Sequence, residues 1–220
     1  MNMQVEKNPR IAIRGRREAH RRASPYTRRM SAAGQDWYHC VGNTYGSWLP
    51  GDPRGWHTGK HRRHVDGDYK CPPPLGKYDA LHEHSKGLML RDEVTLREDH
   101  QQIVLDCFAE SLAFNEIPCA VMSVSSTHAH VLARFVRGRS TSTGKLIADP
   151  ARHYFGIARK VASRRLSESG NVPPGGLWSK RTTIVPIADQ RHFENVADYI
   201  QRHKEEGAVI WVNSPSDAHG

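Results

Sequence analysis

The chain has 220 residues, a formal net charge of +9 and a mean hydropathy of −0.68. This length allows one domain of ordinary size with irregular additions. No apolar run approaches the roughly 20 residues that a membrane helix requires. The four cysteines lie far apart without a Cys-x-x-Cys pair or a signal-like apolar N-terminus, which argues against a disulfide scaffold or a zinc ribbon. We therefore expect a cytoplasmic protein with no membrane segment.

The positive charge is concentrated in two segments. Residues 1–35 contain nine Lys or Arg and two Glu, a contribution of 9 − 2 = +7, and we expect them to form a disordered basic tail. This tail is either a phosphate-binding arm or a solvated extension, and Met30 could be the start of translation. Residues 134–165 carry nine Lys or Arg against one Asp, which indicates a polyanionic partner or else a solvated helix face. The residues of this cluster that we assign to DNA binding are Arg152, Arg159, Lys160, Arg164 and Arg165.

The predicted elements follow the order β-α-β-β-α-β-α. They are a strand from Trp37 to Tyr45, a helix over 96–115 after the capping box Thr95-x-x-Glu98, strands over 119–125 and 128–136, a helix over 150–167 after Asp149-Pro150, a strand from Thr182 to Ile187, and a helix from Asp189 to about Glu206. Residues 46–94 are rich in Pro, Gly, Asp and His and are predicted to form a long loop or insertion. The order predicts an α+β fold of the split-βαβ, ferredoxin-like type, with an antiparallel sheet and helices on one face.

His128-Ala129-His130 is the most informative motif, although a chain with 14 histidines can contain such a pair by chance. The motif lies in a predicted strand, where side chains two positions apart point to the same face. The two imidazoles could therefore converge on one metal ion. Considered alone, two such residues would more often be partly buried strand histidines that bond to their neighbours.

A second motif lies in the last predicted helix, where Tyr199 and His203 are four residues apart. Residues at this spacing share a helix face, so the helix could present a tyrosine hydroxyl and a ligand imidazole together. The alternatives are that Tyr199 packs on the sheet beside Val196 and Ile200, and that His203 is a favourable cation near a helix C-terminus.

Four stretches, at 38–56, 122–134, 177–181 and 197–201, give residues 36–212 a resemblance to a known family. The chain resembles the single-tyrosine HUH transposases of the insertion-sequence-200 type and their relatives, the REP-associated tyrosine transposases. The resemblance implies a catalytic domain over 36–212, followed by a tail at 213–220. It also implies that His128 and His130 bind a divalent metal and that Tyr199 attacks DNA.

The resemblance has one substitution in the ligand set and two departures beside it. His203 occupies the position where the family commonly has Gln or Asn as the third ligand. Ala129 is smaller than the usual bulky residue between the histidines, and Ser126-Thr127 replaces the common Pro-Asn. A set of three imidazoles suits Mn²⁺ or Zn²⁺ at least as well as Mg²⁺.

The function that the resemblance implies is metal-dependent nicking and strand transfer on single-stranded DNA, in transposition or in a domesticated relative. Tyr199 would form a 5′-phosphotyrosine and release a 3′-hydroxyl, while the cation neutralises charge on the phosphate and lowers the pKa of the tyrosine. The implied partners are single-stranded or hairpin DNA and a second copy of the chain in a homodimer. The alternative is a catalytically inactive protein on the same fold that binds hairpin or single-stranded DNA.

Overall fold

The computed structural model describes residues 36–58, 63–66, 72–170, 172 and 176–213. The predicted basic tail at 1–35 lies outside these residues, as does the predicted tail at 213–220 apart from Asn213. The described elements are, in chain order, β1 (Trp37–Thr44), α1 (Asp79–Gly87), α2 (Glu98–Phe114), β2 (Cys119–Val124), β3 (His128–Arg134), α3 (Pro150–Glu168), β4 (Trp178–Pro186), α4 (Gln190–Arg202), a 3₁₀ helix (His203–Glu206) and β5 (Val209–Val212). Among them, no helix has the length and apolar character needed to cross a membrane.

The strands form one antiparallel sheet in the order β4-β1-β3-β2-β5. β3 lies between β1 and β2, which are joined through α2, and this insertion is the defining feature of a split βαβ arrangement. The predicted α+β class with an antiparallel sheet is therefore confirmed. β5 was not predicted, although Val209-Ile210-Trp211-Val212 is a run of residues that favour strands. It extends the sheet beside β2.

The two faces of the sheet are covered by different helices. Phe108 of α2 and Phe155 of α3 pack with Val131 in the larger apolar cluster. Leu132, the next residue along β3, points to the other face and packs in a separate cluster with Ile200 of α4. The expectation that the helices share one face therefore holds for α2 and α3 and has to be corrected for α4. The physical reason is that β2 is buried at every position and so requires cover on both faces.

Helix starts depend on local caps and on tertiary hydrogen bonds. Asp149 and Asp189 accept hydrogen bonds from backbone N–H groups in the first turns of α3 and α4, at 2.9 and 2.7 Å, as expected for capping residues. The start of α2 differs from the prediction, because the helix begins at Glu98 and has no side-chain cap. The N–H of Leu96 donates to Ser126 O at 2.7 Å, which keeps this residue extended beside the sheet.

The predicted insertion at 46–94 is mainly irregular where the structure describes it, with α1 as an unpredicted helix. α1 has few apolar residues, so no hydrophobic periodicity indicated it. β4 begins at Trp178, four residues before the predicted strand, because Trp178 pairs with Thr44 beyond a register shift. At the other end of the chain, Gly207 ends the last helical segment with φ of +81°, a conformation that glycine adopts without strain.

Candidate metal centre

The strand alternation of β3 places His128 and His130 on the face of the sheet that α4 covers. The C-terminal end of α4 places Tyr199 and His203 beside them, because the buried Ile200 anchors this turn on the sheet. The ring centroids of His130 and His203 are 4.6 Å apart, and those of His128 and His130 are 4.9 Å apart. The structure thus brings the three predicted ligands together.

The three imidazoles could hold one metal ion, because one nitrogen atom from each lies within 4.8 Å of the other two. Each ring uses Nδ1 for a hydrogen bond to the protein. His203 Nδ1 lies 3.0 Å from Tyr199 O, and a carbonyl can only accept, so His203 carries its proton on Nδ1. His128 Nδ1 lies 2.9 Å from Ser125 Oγ. Such bonds fix ring orientation and tautomer at metal sites and leave Nε2 available for the ion.

His130 gives the strongest indication that an ion fits. Its Nε2 is buried without a hydrogen-bond partner in the described part of the chain. Buried polar atoms normally have a partner, and a lone-pair nitrogen without one can be satisfied by a cation. The hydroxyl of Ser123, which is opposite His130 on β2, is also buried without a hydrogen-bond partner among the described residues. The donor set is therefore suited to a divalent ion that accepts imidazole nitrogen.

The electrostatics of the site favour neutral imidazoles, the form that binds metal. Burial lowers the pKa of His128 to about 4, and a positive charge on His203 would lower it further. Burial lowers the pKa of His130 to about 2, with the neighbouring His128 as the next cause. At neutral pH both residues consequently offer lone pairs and need to lose no proton before they bind an ion.

His39 is a residue of the site that sequence reasoning missed. It lies on β1, where the register places Val41 opposite His130 and makes His39 the diagonal neighbour of His130. Its Nε2 shares a hydrogen bond of 2.9 Å with His130 Nδ1, and the two rings stack with centroids 5.1 Å apart. Burial lowers the pKa of His39 to about 4. If His130 is to bind an ion through Nε2, its Nδ1 has to carry the proton, and His39 Nε2 is the acceptor in that tautomer.

Tyr199 lies at the open side of the histidine cluster and is 42% exposed. Its ring meets His203 edge-on at 4.7 Å and His130 at 5.4 Å between centroids. Val196 and Ile200, by contrast, are buried in the apolar cluster beneath α4. Tyr199 thus contacts the imidazoles and does not pack into the core. Burial and, to a smaller extent, Glu206 raise the pKa of its hydroxyl.

The structure does not bring the predicted DNA-binding residues to this site. α3 packs on the opposite face of the sheet through Tyr154 and Phe155, so the sheet separates its basic residues from the imidazoles. Arg159 is partly buried, and its guanidinium lies 5.3 Å from the ring centroid of Trp178. The other arginines form exposed ion pairs, Arg152 with Asp149, Arg164 with Glu168 and Arg165 with Glu110, while Lys160 is exposed. Their role in DNA binding stays a prediction.

No family model matches the chain, and no curated protein matches it. Among solved structures, the chain is similar to a REP-associated tyrosine transposase bound to a REP hairpin. The two are 11% identical, and the similarity covers 80% of this chain and 69% of that chain with a TM-score of 0.42. The structural relationship is remote, so the functional conclusion has to come from the site itself.

Proposed function

We propose that the protein is a metal-dependent enzyme that cuts and rejoins single-stranded DNA, in transposition or in a domesticated relative, with Tyr199 as its nucleophile. The observation that supports this proposal is the half-exposed tyrosine ring against three converging imidazoles. A tyrosine that served only as packing would lie with Ile200 in the apolar cluster. Tyr199 instead remains 42% exposed, so a DNA strand can reach this residue.

The proposed ligands are His128, His130 and His203. Imidazole binds a metal ion in its neutral form, so three such ligands leave the positive charge of the ion uncompensated. A divalent ion held there would supply charge neutralisation at the scissile phosphate. Mn²⁺, Zn²⁺ and Mg²⁺ all stay predictions for the identity of that ion. Hydrogen bonds to Ser125, His39 and the backbone of α4 hold the three histidines in place. Their side chains therefore need little reorganisation when an ion binds.

In the proposed reaction the Tyr199 oxygen attacks the phosphorus of a phosphodiester and the bond from phosphorus to the 3′ oxygen breaks. The phenol proton leaves to solvent, and the released 3′ oxygen takes up a proton, so the products are a 5′-phosphotyrosine and a 3′-hydroxyl. Because the phosphodiester is exchanged and not hydrolysed, the strand can be rejoined by the reverse attack. The raised pKa of Tyr199 means that little phenolate forms at neutral pH without a cation.

The test is incubation with single-stranded DNA from the flanks of the protein's own gene, labelled at the 3′ end. The label stays with the protein because the proposed bond is to the 5′ phosphate of the downstream fragment. We expect a covalent adduct with Mn²⁺ and none with a chelator. DNA binding without an adduct under any divalent metal would favour the alternative, a binding protein that lacks chemistry. The homodimer, the hairpin partner and the cytoplasmic location stay predictions.

A further inference from the structure

A short loop after β1, residues 47–55, is held against the end of the metal centre. Ser47 Oγ donates to Thr44 O at 3.0 Å and to Thr127 O at 3.2 Å. Thr127 immediately precedes His128, so the loop is tied to the strand that carries the ligands. Gly51 presses on α1 with φ of +90°, and a Cβ there would lie 2.4 Å from the backbone nitrogen of His82. Such close contact indicates a rigid loop.

Arg54 is fixed in one orientation within this loop. Its Nε donates to Asp52 Oδ1 at 2.8 Å, and its Nη2 donates to Asp52 Oδ2 at 2.6 Å and to Ser47 O. Asp52 is almost fully buried, whereas the Arg54 side chain remains 51% exposed. These bonds use one edge of the guanidinium and leave Nη1 without a partner among the residues that the structure places. A pre-oriented donor of this kind binds phosphate without losing side-chain entropy.

Trp48 presents an aromatic surface next to this donor. Trp48 is 45% exposed, whereas Trp37 and Trp56 are buried. The Arg54 guanidinium carbon lies 4.9 Å from the centroid of the indole. One face of the ring is thus covered by Arg54, and the exposed remainder can accept a planar group. Exposed aromatic rings beside basic groups are the usual stacking platforms for unpaired bases.

The loop of residues 47–55, which carries Trp48 and Arg54, lies at the His128 end of the site. β1 pairs Asn43 with His128, and the loop follows directly after β1. The 3.2 Å hydrogen bond from Ser47 Oγ to Thr127 O also holds the start of the loop beside the residue that precedes His128. A strand whose phosphate lay at the imidazoles could therefore extend onto the loop within a few nucleotides.

We propose that Trp48 and Arg54 form a subsite for one nucleotide of a single DNA strand, with the base stacked on the indole and the phosphate bonded to Arg54 Nη1. This inference rests on the proposed function, because it takes the strand to be the one that Tyr199 attacks. It also places the strand on the imidazole face of the sheet and not on α3.

The experiment compares two fluorescently labelled strands of equal length, oligothymidylate and an abasic sugar-phosphate strand, by anisotropy with the full chain in the presence of chelator. Trp48→Leu should bind oligothymidylate about tenfold more weakly, since stacking of one base contributes roughly 1–3 kcal/mol. Its affinity for the abasic strand should equal that of the parent, because the charge is unchanged. Trp48→Phe keeps an aromatic ring and should lose much less affinity.

Phe114→Leu provides the matched control, since Phe114 is 88% exposed at the end of α2 and belongs to no part of the site. Its affinity for both strands should be parental. If Trp48→Leu binds oligothymidylate as tightly as the parent, the subsite is wrong and the proposed function is unaffected. Equal weakening for both strands would also overturn the stacking proposal. A parent that binds neither strand, nor any strand from the flanks of its gene, would overturn both proposals.

Discussion

Replacing His39 by Ala should weaken metal binding although His39 is not itself a proposed ligand. His39 Nε2 lies 2.9 Å from His130 Nδ1, and we propose that it accepts the Nδ1 proton, which leaves the lone pair of His130 on Nε2. Without this acceptor, the His130 ring can place its proton on the nitrogen that should bind the ion. Loss of such an outer partner typically costs about 10- to 100-fold in metal affinity.

The assay is calorimetric titration of the metal-free protein with Mn²⁺ or Zn²⁺, with urea unfolding to monitor stability. His39→Ala should also lose about 1–3 kcal/mol of unfolding free energy, because a buried N–H is left unpaired. His39→Gln supplies an amide oxygen as an acceptor and should recover most of the affinity, which a purely steric role would not explain. His153→Ala removes an exposed histidine of α3, on the other face of the sheet, and should change neither quantity. Parental metal affinity in His39→Ala would refute the positioning role.

Three further predictions concern the ligands and their protonation. His128→Ala or His130→Ala should abolish metal binding and DNA cleavage while largely preserving the fold; cleavage at the parental rate by either variant would remove that residue from the ligand set. His203→Gln should retain cleavage and shift metal preference toward Mg²⁺, measured as relative rates with Mg²⁺ and Mn²⁺, because an amide oxygen is a harder ligand; an unchanged preference would place His203 outside the coordination sphere. The free energy of unfolding of the metal-free protein should fall as pH decreases from about 6.5 toward 4. In the folded protein the pKa values of His39, His128 and His130 are lowered to about 4, 4 and 2. The unfolded chain therefore takes up protons on these residues that the folded protein does not bind. Each such proton contributes a slope of at most about 1.4 kcal/mol per pH unit. Urea unfolding at a series of pH values would measure the free energy of unfolding, and no decline over this range would contradict the buried neutral state of these histidines.

The parts of the site that local periodicity determines could be predicted from the sequence. Strand alternation put His128 and His130 on one face, and helical spacing put Tyr199 and His203 together. The position of His39 depends on how β1 pairs with a strand about 90 residues later along the chain, and no local pattern contains that register.

Local sequence patterns also could not predict which face of the sheet each helix covers. The basic residues of α3 follow the histidine pair closely in sequence, yet the sheet separates them because Tyr154 and Phe155 direct α3 to the opposite face. In this chain, residues that are close in sequence therefore lie on opposite faces of the sheet. The face on which each helix packs depends on which apolar residues of the strands remain uncovered. That depends on the complete sheet with both apolar clusters, and not on a local stretch of sequence.

The most direct test of the account is to identify the residue that carries DNA after reaction. The adduct formed with Mn²⁺ would be digested with nuclease and protease, and the nucleotide-bearing peptide identified by mass spectrometry, alongside the variants Tyr199→Phe and Tyr154→Phe. We predict a phosphodiester on Tyr199, and no adduct in Tyr199→Phe despite retained DNA binding. Tyr154→Phe should form a normal adduct, since Tyr154 is a buried residue of α3 on the other face of the sheet. A nucleotide on any other residue, or an adduct that persists in Tyr199→Phe, would contradict the central claim.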